Sequence, residues 1–252
     1  MNSNLRAVAG LARRNRPDRL PDTRLTMTGI GIDTDRLAAY DRVCGFRLTD
    51  AVPSTFPHVL AFPTAMRLMT SADFPFGAIG LVHIANRITQ RRPLAVTEKI
   101  NFQVYASDLR PHDRGQQFDV TATGTVDGDE VWRDVSTYLK RTGGSAGASR
   151  TEGQRLTPSA VWHVGREVGS AYASVSGDRN PIHTSRLGAR LFGFPGPIAH
   201  GMWTAARCLA ALEGQLPEAY EMEVVFKRPI RLPSDVSFAH DGGAIEVRGV
   251  RT

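Results

Sequence analysis

Tyr172-Ala-Ser-Val-Ser-Gly-Asp178-Arg-Asn180-Pro-Ile-His183 places an acid, an amide and an imidazole within six residues around an Asn-Pro turn. A second block, Pro197-Ile-Ala-His200-Gly201-Met202, follows a Gly/Pro-rich loop. The five-residue separation of Asp178 and His183 is too uneven for one helical face, but a turn at Asn180-Pro181 brings the two side chains together. A carboxylate accepts hydrogen bonds and an imidazole accepts or donates, so the pair suits one water held between two proton-transfer groups. Asn180 then fixes the turn or orients a member of the pair. Taken alone, the cluster reads equally as an Asx-turn, with Asp178 capping a helix and His183 as a polar core residue.

The second block opens an apolar helical stretch running to Leu212, with Gly214 placed to end it. A glycine at such a start exposes a backbone N–H without a Cβ in the way, and the helix dipole favours negative charge there. Gly201 is thus the candidate donor to an oxyanion. His200 reads as a buried structural residue, and Cys208 as a small hydrophobe on the helix. His58, His112, His163 and His240 stand alone in sequence and read as packing or surface residues.

Working outward, Thr142-Gly-Gly-Ser-Ala-Gly-Ala-Ser149 has the composition of a linker and divides the chain. In the first half Phe74-Pro-Phe-Gly-Ala leads into Gly80-Leu-Val-His83-Ile84-Ala-Asn86, where a second helix is expected. Strand-like runs follow in each half: Lys99–Tyr105, Gln117–Val126 and Glu130–Leu139, then Glu221–Phe226, Val236–His240 and Ala244–Val250. One helix and several antiparallel strands, twice over, read as α+β with an internal duplication. The expected divisions are a basic N-terminal extension over 1–24, a first repeat over 25–141, a linker over 142–152 and a second repeat over 153–252.

At 252 residues, 41% hydrophobic and 22% charged, the chain has the composition of a soluble globular protein. Cys44 and Cys208 form no CxxC pair or Cys/His cluster, so no disulfide framework or zinc site is implied, and a cytoplasmic setting is expected. No run of about 18 apolar residues could span a bilayer, and the N-terminus lacks the order of a secretory signal. The formal charge is +6, and all but three of the 31 basic residues are arginine. These arginines are scattered rather than clustered on one helix, which argues against nucleic acid and for a phosphate-bearing small ligand. Arg87, Arg91 and Arg92 could meet such phosphates, although a solvated face explains them as well.

The two blocks, in this order and spacing, closely resemble the MaoC-like dehydratases, also called (R)-specific enoyl-CoA hydratases or hydratase 2. The resemblance implies a double hotdog, two units each with a long helix wrapped by a curved antiparallel sheet. The first is a degenerate repeat without the Asp-x-Asn-Pro-x-His block, with His83 opposite His200 and Ile84 in the place of Gly201. It implies reversible hydration of trans-2-enoyl thioesters of coenzyme A or acyl carrier protein, without metal or other cofactor. Asp178 and His183 are then catalytic, and Gly201 and Asn180 bind or position substrate. A hotdog thioesterase and a non-catalytic acyl-thioester binding subunit are the alternatives. One chain already makes a two-unit assembly, so a monomer or a homodimer is expected. Ser185 departs from the family, which usually has an acid there. Phe62, Met66, Leu68, Met69, Phe74 and Phe76 would supply an acyl tunnel in the first repeat.

Overall fold

A computed structural model describes residues 16–78, 80–141 and 155–250; the expected linker and the N-terminal residues 1–15 lie outside them. The chain begins with β1 (Arg24–Gly31) and α1 (Thr34–Cys44), the latter capped by Asp33, whose side chain accepts from the Asp35 and Arg36 N–H groups. A short β2 (Ala51–Val52) precedes α2 (Phe56–Met69), whose Pro57 lies in the first turn where no intrahelical N–H bond is lost. Then come β3 (Leu81–Gln90), β4 (Leu94–Ala95), β5 (Lys99–His112), β6 (Gly115–Val126) and β7 (Asp129–Arg141).

The second half runs β8 (Ala160–Val164), α3 (Val168–Ser176), α4 (Pro181–Thr184), α5 (Arg186–Leu191), α6 (Gly201–Ala211), β9 (Tyr220–Val225), β10 (Ser234–Asp241) and β11 (Ala244–Gly249). No described helix is long and apolar enough to cross a membrane.

Alternation in β5, β6 and β7 buries Phe102, Val104, Phe118, Val120 and Tyr138 on one face, against which α2 packs with Phe56, Val59, Leu68 and Met69. The large sheet has the order β1-β5-β6-β7-β3-β9, so its sixth strand comes from the second half. β9 pairs antiparallel with β3 from Ala85↔Val225 to Gln90↔Tyr220, and the Phe226 N–H donates to Ile84 O at 2.9 Å. The short strands β2 and β4 pair with each other, and the other strands of the second half form a sheet β11-β10-β8, on which α6 packs Cys208 and Leu212 against Phe238. In the first half β7 fills the place between β6 and β3; among the described residues no strand fills the matching place between β11 and β9.

Two expectations need correction. Residues 81–90 are a strand, not a helix: Ile88 and Asn86 point inward while β7 and β9 pair along both edges. The helix of the first half lies upstream of Phe74. By position in the helix, the counterparts of His200 and Gly201 are therefore Thr55 and Phe56, not His83 and Ile84. Phe56 is fully buried, and its N–H already donates to Pro53 O at 2.8 Å.

His58 is not isolated either. Its Nδ1 lies 2.6 Å from Asp134 Oδ2, and the Asn86 amide donates to Asp134 Oδ1 and, at 3.1 Å, to Ser136 Oγ. All four side chains are buried, so each depends on the others for its hydrogen bonds. Beside them is a cavity of about 10 Å³, lined by His58, Phe62, Tyr138 and neighbours, roughly the space of one water. Of the expected tunnel residues only Phe62 lines it; Leu68, Met69 and Phe74 are core.

Replacing Asp134 with alanine leaves buried His58, Asn86 and Ser136 without their shared acceptor. The expected loss is about 3 kcal/mol of unfolding free energy, read by denaturant titration; an unchanged midpoint would show that the network contributes nothing.

Candidate active site

The segment carrying Asp178 and His183 is a succession of local caps. Helix α3 ends at Gly177, whose φ of 82° is the left-handed conformation that glycine adopts freely. Asp178 Oδ1 then accepts from the Asn180 N–H at 3.1 Å, and Asn180 Oδ1 accepts from the Ile182 N–H at 3.3 Å. Asn180 is thereby the cap of α4, with Pro181 as its first residue. Ser185 caps α5 by accepting from the Gly188 N–H at 3.1 Å, so the departure there keeps a capping side chain, which an acid would also be. The Asx-turn expected at Asp178 is present, with Asn180 rather than Asp178 capping the helix that follows.

His183 is buried on α4, and its Nδ1 lies 2.8 Å from Ile198 O. A carbonyl only accepts, so Nδ1 carries the proton and the neutral ring keeps its lone pair on Nε2. Burial holds the His183 pKa below the ordinary histidine value, partly opposed by the Ile198 hydrogen bond and the Asp178 charge. His200 lies flat against His183, with ring centroids 3.7 Å apart and 25° between planes. Its Nε2 donates to the Asp178 carbonyl at 3.1 Å, and burial, reinforced by His183, pushes its pKa down to about 4. His200 thus holds the backbone of Asp178 and stacks on His183.

Ligand-capable atoms of Asp178, His183 and His200 all lie within 4.8 Å of one another. A water donating to two acceptors spans roughly 4.6 Å between them, from two ordinary 2.8 Å hydrogen bonds at a tetrahedral angle. The same three residues have the donor types of a metal site. Stacked rings turn their faces to each other, however, whereas two imidazoles on one ion must converge their edges.

Gly201 opens α6, and its N–H has no acceptor among the described residues. A Cβ at Gly201 would sit 2.8 Å from the Phe226 ring. Phe226 in turn meets His83 edge-on at 5.1 Å, and His83 stacks on Tyr138 at 4.8 Å. β3 and β7 of the first half thereby contribute His83 and Tyr138 to the aromatic cluster beside Phe226. Neither Phe226 nor Tyr138 carries a motif that would single it out in sequence. Arg87, Arg91 and Arg92 are occupied elsewhere, paired with Glu223, Glu130 and Glu98.

A family model described as "MaoC like domain" matches residues 149–247. The 3-hydroxyacyl-thioester dehydratase X of Mycobacterium tuberculosis is 42% identical over 236 residues, covering 91% of this chain and 84% of that protein. The crystal structure of HtdX from the same organism superposes with a TM-score of 0.81 at 38% identity, covering 90% of this chain and 94% of that one. A protein of M. tuberculosis described as having a double hotdog fold superposes at 0.52 with 13% identity, covering 92% and 91%. The fold is a double hotdog.

Burial lowers His83 as well as His200 to about 4. Unfolded imidazoles take up protons as pH falls below about 6.5, and the folded ones resist until about 4, so stability drops across that window. Asp41, raised from 3.8 to about 6 by burial and by Glu213, acts in the opposite sense between those values. His83→Phe should shrink the acid-side loss by up to about 3 kcal/mol, read as a flatter Tm against pH between pH 6.5 and 4.

Proposed function

The chain belongs to the MaoC-like dehydratases, and we propose that it interconverts a trans-2-enoyl thioester and its (3R)-3-hydroxyacyl thioester, Asp178 and His183 acting on the water. The observation that carries this reading is the lone pair left on His183 Nε2 by the Ile198 hydrogen bond, in a buried ring beside the Asp178 carboxyl.

In the hydration direction, Asp178 accepts one O–H of the water and orients it while His183 Nε2 takes the other proton. The water oxygen bonds to C3 as the C2–C3 π electrons shift towards the thioester carbonyl. Negative charge gathers on that oxygen, where the Gly201 N–H donates at the positive end of α6. The proton held by the pair then passes to C2 as the carbonyl re-forms. No redox step occurs, and dehydration is the same path reversed. A donor of this kind contributes typically about 2.7–4 kcal/mol in the transition state. The hand of the product follows from family membership.

Asp178→Asn and His183→Ala should each lower kcat by about 10²–10⁴-fold, followed as loss of enoyl absorbance with a thiol reagent present. Thiol release at the rate of enoyl loss would identify a thioesterase and sink the hydration reading. Gly201→Ala pushes Phe226 or the helix start out of place and should lower kcat more than it raises KM. Adding Phe226→Leu should restore part of the rate, and a double variant no faster than the single one would separate Phe226 from the effect.

A further inference from the structure

The segment carrying the catalytic pair has an outer side that the chemistry does not use. Helix α5 leaves Leu187 and Leu191 70% and 78% exposed, and Phe192 just beyond it is 43% exposed. Arg179, Arg186 and Arg190 on the same segment are exposed, and from Gly177 to His200 the only acid is Asp178 itself. Alongside runs Ile230–Leu232: the Ala199 N–H donates to Ile230 O at 2.8 Å and the Leu232 N–H to Pro197 O at 2.9 Å. This brings exposed Arg231, paired in a bridge with Ile198, to the same rim. None of these four guanidinium groups takes part in an ion pair or hydrogen bond among the described residues. Arg87 on β3, and Arg91 and Arg92 just beyond it, by contrast have glutamate partners.

Like charges without partners around exposed leucines give the folded chain no stability of its own, and such a patch marks a binding surface. A nucleotide's phosphates would answer the arginines but leave Leu187 and Leu191 in water. An acidic protein surface would answer both, burying the apolar residues at the centre and meeting the arginines at the rim.

We propose that this face docks an acidic acyl carrier protein, which delivers the acyl chain to Asp178 and His183 as a protein-bound thioester. The proposal rests on the hydration reading above and names the carrier of its substrate. Association is then steered by charge, so its rate falls with salt.

The test compares kcat/KM for one enoyl chain loaded on an acyl carrier protein and on coenzyme A. The variants are Arg186→Glu with Arg190→Glu, and separately Leu187→Ser with Leu191→Ser. Expected are a drop of about tenfold or more for the carrier-protein substrate in both variants, and a change within about twofold for the coenzyme A substrate. Added salt should lower the wild-type rate on the carrier protein far more than on coenzyme A. Parallel losses on both substrates, or no loss on either, would overturn the docking proposal while leaving hydration standing. Absence of turnover on both substrates in the wild type would instead overturn the hydration reading. Light scattering showing that Leu187→Ser with Leu191→Ser converts a dimer into monomers would assign the face to a second copy and overturn the carrier.

Discussion

The antiparallel ladder between β3 and β9 is the constraint on which the rest of the site depends. It joins a strand of each half along six register pairs, from Ala85↔Val225 to Gln90↔Tyr220. It ends at the bond from the Phe226 N–H to Ile84 O, and that end point fixes the Phe226 ring over Gly201. Side chains in a strand alternate faces, so a slip of one residue would turn Phe226 away from α6 and bring Val225 there instead. Strand β3 also carries His83 into edge contact with that ring. The first half therefore takes part in the site through the register of a sheet.

Within the second half the site depends on two carbonyl groups. Ile198 O fixes the proton of His183 on Nδ1, and the Asp178 carbonyl does the same for His200 on Nε2. Burial keeps both rings neutral at pH 7, so His183 presents a lone pair at Nε2 instead of a second proton. Stacking at 3.7 Å would be costly between two imidazolium ions and is tolerable between neutral rings. The proposed proton transfer and the packing thus require the same protonation state.

The segment from Gly177 to Ser185 was legible in sequence because its geometry is local. Asp178, Asn180, Pro181 and Ser185 act through bonds reaching two or three residues along the chain, and turn chemistry specifies those directly. Gly201 was legible too, as the start of an apolar helix. Residues 81–90 were misread because Leu81-Val-His-Ile is apolar on consecutive positions, a pattern that a strand buried between two partners shares with a helix. His58 with Asp134, and Phe226 over Gly201, were beyond reach because packing of helix on sheet brings together positions 76 and 25 residues apart in the chain. Long-range pairing leaves no local signal at either residue.

The starts of α2 and α6 show why the chain has one candidate site and not two. Both helices open on an N–H facing the junction of the halves, but at Phe56 that group is bonded to Pro53 O and the ring is fully buried. Burying a phenylalanine contributes about 1.5–3 kcal/mol to the folded state. Gly201 forgoes that contribution and the N–H stays without an acceptor, which costs stability where water is excluded. A helix start can be filled as core or kept open as a donor, since a side chain in the space and an oxyanion in the space exclude each other. The first half is filled and the second is open, and the residue at the first helical position decides which.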